Sequence, residues 1–86
     1  MTPLDKFRKR LLYQSQHRGM REMDLVLGGF AEQNIHTMSP QELQQFEALL
    51  DIPDQHLYGW FFERAPLPKD ASQTLVKAIQ TFIESR

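Results

Sequence analysis

Cysteine is absent from this 86-residue chain. Without cysteine the chain cannot build a disulfide scaffold, a zinc ribbon or a thiol nucleophile. Long apolar runs are missing too, since none approaches the roughly 18 residues that a membrane span requires. The first ten residues are charged and carry neither the apolar core of a secretory signal nor an Arg- and Ser-rich organelle leader. From these absences we expect a cytoplasmic protein of bacterial source.

Chain length limits the architecture. The 86 residues fit one domain, which we predict to span 1–86. A chain this short buries only about 60–65% of the surface that its unfolded form exposes, so the core is thin and a large enclosed cofactor site is not expected. β-Branched residues are sparse and no run alternates with a period of two, so no strand is predicted.

Apolar residues recur at helical spacing in five segments. Thr2-Pro3 and Ser39-Pro40 are typical helix starts, because a hydroxyl caps the N-terminus and proline suits the first helical position. Glu42 completes a capping box with Ser39. We predict helices from Pro3 to about His17, over about 20–33, over 40–50, over about 54–62, and from a second capping pattern at 70–73 onwards. The predicted fold class is all-α, a compact single-domain bundle of five helices.

Gly28-Gly29 lies inside the second predicted helix. Each glycine costs about 1 kcal/mol relative to alanine in a helix interior. Either the helix bends or ends there, or another backbone packs closely against it.

The side chains that usually carry catalysis or bind metal are not suitably spaced. His17, His36 and His56 stand at no metal-ligand spacing, and we expect all three to be solvated. Ser15 is too close to His17 to form a nucleophile–base pair with a third orienting group. No GxGxxG and no P-loop lysine occurs. We therefore predict that the chain is not an enzyme.

Basic residues are concentrated near the N-terminus. Residues 1–22 contain six lysines and arginines against two acidic residues, whereas residues 23–86 contain four against nine. This asymmetry fits either an ordinary solvated helix surface or one electropositive face for an acidic partner, which could be protein, nucleic acid or an anionic ligand.

The segment 17–24 admits two interpretations. In the first, Gly19 supplies a positive φ between two helices, and Arg18 pairs with Glu22 on the surface for tenths of a kcal/mol. In the second, Gly19 lets a partner approach the backbone, while Glu22 orients the planar fork of Arg18 toward a carboxylate or phosphate.

Bulky apolar residues crowd the fourth predicted helix, and they cannot all face inward. We predict that Leu57, Trp60 and Phe61 belong to the core. Tyr58 and Phe62 are then candidates for an interface.

Two motifs resemble those of the SdhE/YgfY family, the flavinylation factors of the succinate dehydrogenase assembly factor 2 type. The first is Arg-Gly-Met-x-Glu-x-Asp at 18–24, and the second is Pro-Asp-x-x-Leu-Tyr-x-Trp at 53–60, preceded by Leu49-Leu50. The resemblance covers about residues 4–84. The resemblance implies that Arg18, Gly19 and Glu22 form the contact region for a partner. The partner-binding residues that we predict beside them are Met20, Arg21, Asp24, Arg10 and Tyr58.

The resemblance implies an assembly chaperone of five helices. Such a protein binds the flavoprotein subunit of succinate dehydrogenase, and in bacteria that of fumarate reductase, and promotes covalent attachment of FAD to a histidine of that subunit. No cofactor would be tightly bound, because FAD belongs to the client. We expect a monomer that neither binds nucleic acid nor inserts into a membrane.

Three alternatives stay open from the sequence. Some members of the family carry the antitoxin-like name CptB, so an antitoxin or a general protein-interaction module is the nearest. A nucleic-acid-binding module would use the basic first helix to contact phosphates. A small flavin-dependent enzyme would need a dinucleotide fingerprint, which the sequence lacks.

Overall fold

The computed structural model describes residues 1–69 and 72–85. Within these residues the fold is all-α, as predicted, and contains no strand. The helices are α1 (Pro3–Gln16), α2 (Arg21–Asn34), α3 (Pro40–Leu50), α4 (Asp54–Phe62) and α5 (Gln73–Glu84).

Local hydrogen bonds cap the start of three of these helices, and α1 and α3 begin where the sequence predicts. The Thr2 hydroxyl accepts from the backbone N–H of Asp5 at 3.1 Å, and the carboxylate of Asp5 accepts in return from the backbone N–H of Thr2. These hydrogen bonds, that of the Thr2 side chain first, lower the pKa of Asp5. Ser39 forms the same reciprocal pair with Glu42. Ser72 caps α5 through the backbone N–H of Leu75, while two residues of the predicted capping pattern, 70 and 71, lie outside the described residues.

Each helix packs one apolar face against a shared core. The fully buried side chains include Leu11, Leu27, Phe46, Leu57 and Ile79, which come from α1 to α5 in turn. Burial of such side chains contributes about 1.5–3 kcal/mol each, so the amphipathic pattern decides how the helices pack.

The bulky side chains of α4 separate into a buried group and a more exposed group, as predicted. Leu57, Trp60 and Phe61 are buried, whereas Phe62 is 39% exposed and Tyr58 is half-buried. The amide of Gln80 on α5 donates to the carbonyl oxygen of Trp60 at 2.9 Å, which joins the two helices.

Helix α2 does not end at Gly28 and Gly29. Of the two alternatives, close packing is the one found, against the backbone and side chain of Gln16 at Gly28 and against a side-chain ring at Gly29. A Cβ on Gly28 would lie 2.9 Å from Cγ and 3.4 Å from Cα of Gln16, and one on Gly29 would lie 2.9 Å from the ring of Phe82. The glycines let the end of α1 and the ring of α5 approach α2 closely.

Arg8 fastens α1 to the end of α2. Its guanidinium donates to the carbonyl oxygen of Ile35 at 3.0 Å and to that of Met38 at 2.9 Å. Ile35 caps the end of α2, where carbonyl groups have no partner within the helix, and Met38 lies in the loop before α3. Arg8 thus satisfies carbonyl groups that would otherwise need water.

None of the helices in the described part of the chain combines the length and the apolar character that crossing a bilayer requires.

Candidate docking surface

The turn between α1 and α2 depends on Gly19. Its φ is 95°, in the left-handed region that glycine adopts far more readily than other residues. A Cβ built on Gly19 would meet no atom of residues 1–69 or 72–85 within 4 Å. The turn is open at this point, so a partner can approach its backbone closely.

The Arg18 side chain turns away from this opening and into the protein. Its Nε donates to Oδ1 of Asp54 at 2.7 Å. Its two terminal nitrogens donate to the carbonyl oxygens of Ile52, at 2.7 Å, and Leu50. Only 12% of the Arg18 side chain is exposed. Arg18 thus ties the turn to the segment that joins α3 to α4.

The predicted pairing of Arg18 with Glu22 is wrong. The guanidinium contacts the α3–α4 segment, and Glu22 is exposed on the first turn of α2. Residues four apart are neighbours only when both belong to one helix. Arg18 precedes the start of α2 at Arg21, so the spacing does not bring the two side chains together.

Asp24 fixes the turn from the other side. Its Oδ1 accepts from the backbone N–H of Arg18 at 2.6 Å, and its own backbone N–H donates to the carbonyl oxygen of Met20 at 2.9 Å. The side chain is half-buried. Asp24 therefore holds the backbone in place.

Three of the predicted site residues remain exposed at the turn. They are Gly19, Arg21 and Glu22, and the half-buried Met20 beside them packs against the core. We call these four residues the junction surface. Among the described residues, no side-chain hydrogen bond caps the start of α2. The positive end of the α2 dipole lies at the junction surface, where Glu22 and Asp24 of the first turn place negative charge beside it.

Tyr58 lies one turn after Asp54 on α4. Because Arg18 holds Asp54, Tyr58 is placed about 6 Å along the helix from that ion pair. Its ring packs on the ring of Phe62 with 4.8 Å between centroids. These two side chains form an aromatic edge beside the buried part of α4.

Arg10 belongs to a different part of the surface. It lies nearly two turns before the end of α1 and forms an ion pair with Glu47 of α3, with side chains 55% and 41% exposed. The Arg10 guanidinium also lies 5.1 Å from the ring centroid of Phe7. The structure does not place Arg10 in the turn that carries the junction surface.

Sequence reasoning missed Asp54 and the carbonyl oxygens of Leu50 and Ile52. A signal was present in Asp51-Ile52-Pro53-Asp54, where one helix ends and an acidic residue begins the next. A helix end supplies unpaired carbonyl groups and Asp54 supplies a negative charge, so an arginine from another element fits there.

Two concavities lie away from the junction surface. One, of about 460 Å³, lies between α2, α3 and α5, and another, of about 440 Å³, lies beside Trp60 and His56 between α3 and α4. All three histidines are exposed, and the described residues contain no cluster of three metal-ligating side chains.

The family model described as flavinator of succinate dehydrogenase matches residues 9–83. The chain belongs to this family. The match includes the whole junction surface as well as Arg18, Asp24 and Asp54, and it confirms the resemblance found from the two motifs.

Curated relatives carry matching names. Succinate dehydrogenase assembly factor 2, mitochondrial, of Dictyostelium discoideum is 39% identical over 80 residues, covering 93% of this chain and 57% of the relative. The protein of the same name from Saccharomyces cerevisiae is 43% identical over 88 residues, covering 98% and 54%. FAD assembly factor SdhE of Acetobacter pasteurianus is 40% identical over 70 residues, covering 81% and 64%.

The chain spans between about half and two thirds of the length of these relatives. Mitochondrial proteins stand beside a bacterial one among them. Family membership therefore does not single out the bacterial source that the sequence suggested.

Proposed function

We propose that this chain is an FAD assembly factor that binds the flavoprotein subunit of succinate dehydrogenase and promotes its covalent flavinylation. The observation that carries the proposal is the family match over residues 9–83, which contains the turn at Gly19. The names of the relatives support the same function.

The proposed docking site is the junction surface. Gly19 offers an approachable backbone, and Arg21 and Glu22 are exposed beside it. Arg18 and Asp24 hold the turn in one conformation through contacts to Asp54 and to the backbone. A surface that is rigid before binding loses less conformational entropy when a partner docks.

The chain would act by shifting its client toward a reactive arrangement. Covalent attachment requires the flavin and the attacking side chain to meet in one geometry. A helper that binds that arrangement about 100-fold more tightly than the unreactive one supplies about 2.7 kcal/mol. In this proposal the client performs the chemistry and holds the FAD, and this chain is a chaperone.

The proposal extends to a second client, the oligomeric state and the cellular location. The flavoprotein subunit of fumarate reductase is a second client that we propose. We also propose that the chain acts as a monomer in the cytoplasm, without binding nucleic acid or inserting into a membrane.

Replacing Glu22 tests the docking site within the proposed function. Glu22→Ala should slow covalent flavinylation of the purified flavoprotein subunit by about tenfold, because an exposed charged contact of the proposed docking site is lost. The measurement is in-gel flavin fluorescence after incubation with free FAD. Glu32→Ala removes the same group from another exposed position of α2 and should leave the rate unchanged.

The same reaction distinguishes the functions. If wild-type protein does not accelerate flavinylation, the assembly-factor proposal is contradicted, and retardation of an oligonucleotide in a gel at low salt would favour a nucleic-acid-binding module. If wild type accelerates the reaction and both glutamate variants do so equally, the function stands but the docking site lies elsewhere.

A further inference from the structure

The fold divides the basic residues that precede Gly19 into two groups. Arg8 and Arg18 direct their guanidinium groups to backbone carbonyl oxygens within the protein. Lys6, Lys9 and Arg10 remain exposed on α1. The arginines that hold the fold are thereby separated from the cations that a partner can reach.

The exposed group forms one continuous surface. Lys6, Lys9, Arg10, Tyr13 and Gln14 line a shallow concavity on α1 together with Met1. We call these residues the α1 basic face. From Lys6 to Tyr13 it extends about 10 Å along the helix. Within residues 1–69 and 72–85, neither lysine takes part in an ion pair.

One contact inside the protein shows that this face can pair with a carboxylate. Arg10 pairs with the carboxylate of Glu47, which projects from the neighbouring helix α3. An acidic side chain on a helix packed beside α1 thus already meets this face. Lys6 and Lys9, within one turn of Arg10, offer two further positive charges to a second acidic element.

Charge elsewhere favours a short acidic segment over a long polyanion. Residues 23–86 contain nine acidic and four basic residues, so an extended nucleic acid would meet repulsion beyond α1. Tyr13 is 64% exposed and Met1 is 78% exposed. Tyrosine, methionine and arginine are enriched at protein interfaces.

The α1 basic face also adjoins the proposed docking site. The ring of Tyr13 stacks on that of His17 with 4.0 Å between centroids, and Nδ1 of His17 lies 2.8 Å from the carbonyl oxygen of Tyr13. His17 immediately precedes Arg18 and the turn at Gly19. The two surfaces therefore follow one another along the chain, from α1 into the junction.

We infer that the α1 basic face binds an acidic segment of the flavoprotein subunit, as a second contact beside the junction surface. The inference rests on the proposed function, because the flavoprotein is the partner. The α1 basic face adds electrostatic attraction, which speeds encounter and fixes orientation, while the junction surface makes the close contact.

Reversing both lysines tests the inference. The double variant Lys6→Glu and Lys9→Glu should bind the purified flavoprotein subunit about tenfold more weakly at low ionic strength and less than about twofold more weakly in ~0.5 M NaCl, because salt screens exposed charge pairs. The double variant Lys69→Glu and Lys77→Glu is the matched control. It makes the same charge change at exposed positions of the 63–69 segment and α5 and should retain wild-type affinity.

Zero-length carbodiimide coupling of lysine to carboxylate gives an independent readout. Mass spectrometry should find Lys6 or Lys9 joined to aspartate or glutamate of the flavoprotein. Equal affinity of both double variants, or coupling only through Lys69 and Lys77, would overturn the inference. The inference would also be overturned if the Lys6/Lys9 variant lost oligonucleotide binding while its affinity for the flavoprotein stayed unchanged. Failure of wild type to bind the flavoprotein at all would contradict the proposed function itself.

Discussion

Arg18→Ala is expected to lower the free energy of unfolding by about 3 kcal/mol. The substitution removes hydrogen bonds to Asp54, Ile52 and Leu50. It leaves the Asp54 carboxylate, whose side chain is 23% exposed, without its cation. Breaking one side of a buried ion pair costs about 3–5 kcal/mol, and the partial exposure of Asp54 places this variant at the lower end. Urea denaturation at neutral pH measures the change.

Arg21→Ala is the control for Arg18→Ala. Arg21 is exposed at the start of α2, three residues after Arg18, and its removal should change stability by less than about 0.5 kcal/mol. Asp54→Asn provides a second check, because its effect and that of Arg18→Ala should be strongly non-additive in the double variant. Equal stability of the two arginine variants would show that Arg18 does not hold the turn to the α3–α4 segment.

Gly19→Arg is expected to reduce stimulation of flavinylation to the level measured without the protein. At a φ of 95° any side chain costs about 1 kcal/mol of backbone strain. The space around the Cβ position is open, so the arginine adds no clash within the described structure. The variant should fold, with its side chain in the space that the partner needs. The measurements are circular dichroism and flavinylation rate.

Gly19→Ala distinguishes the effect of backbone strain from that of a side chain that blocks the partner. It carries the same backbone strain with little bulk, so it should match Gly19→Arg in stability within about 0.5 kcal/mol while retaining most of the stimulation. Gln33→Arg, at an exposed position of α2, controls for the added charge. If Gly19→Arg stimulated flavinylation as strongly as Gly19→Ala and the wild type do, no partner would approach this turn.

Helix starts were predictable because their determinants are local. Thr2 and Ser39 cap helices through residues three positions later, so a few consecutive letters contain the whole interaction. The division of α4 into core and edge follows from helical periodicity in the same way.

The role of Arg18 was not predictable from its neighbours. Its carboxylate partner, Asp54, is 36 residues away, and local spacing favoured Glu22 instead. The sequence indicated that the turn is special, but only the packing of α3 and α4 against it shows which side chains support it. Gly28 and Gly29 are similar, because the sequence left open whether the helix bends or ends there or another backbone packs closely, and it could not identify Gln16 and Phe82.

Hydrogen exchange with and without the purified flavoprotein subunit tests most directly whether the junction surface docks the client. The α2 start has no side-chain cap within the described chain, so the backbone N–H groups of the exposed residues 21 and 22 should exchange rapidly in the free protein. We expect exchange at residues 19–22 to slow when the flavoprotein is added. Unchanged exchange there, with protection appearing only at another surface such as α5, would contradict it.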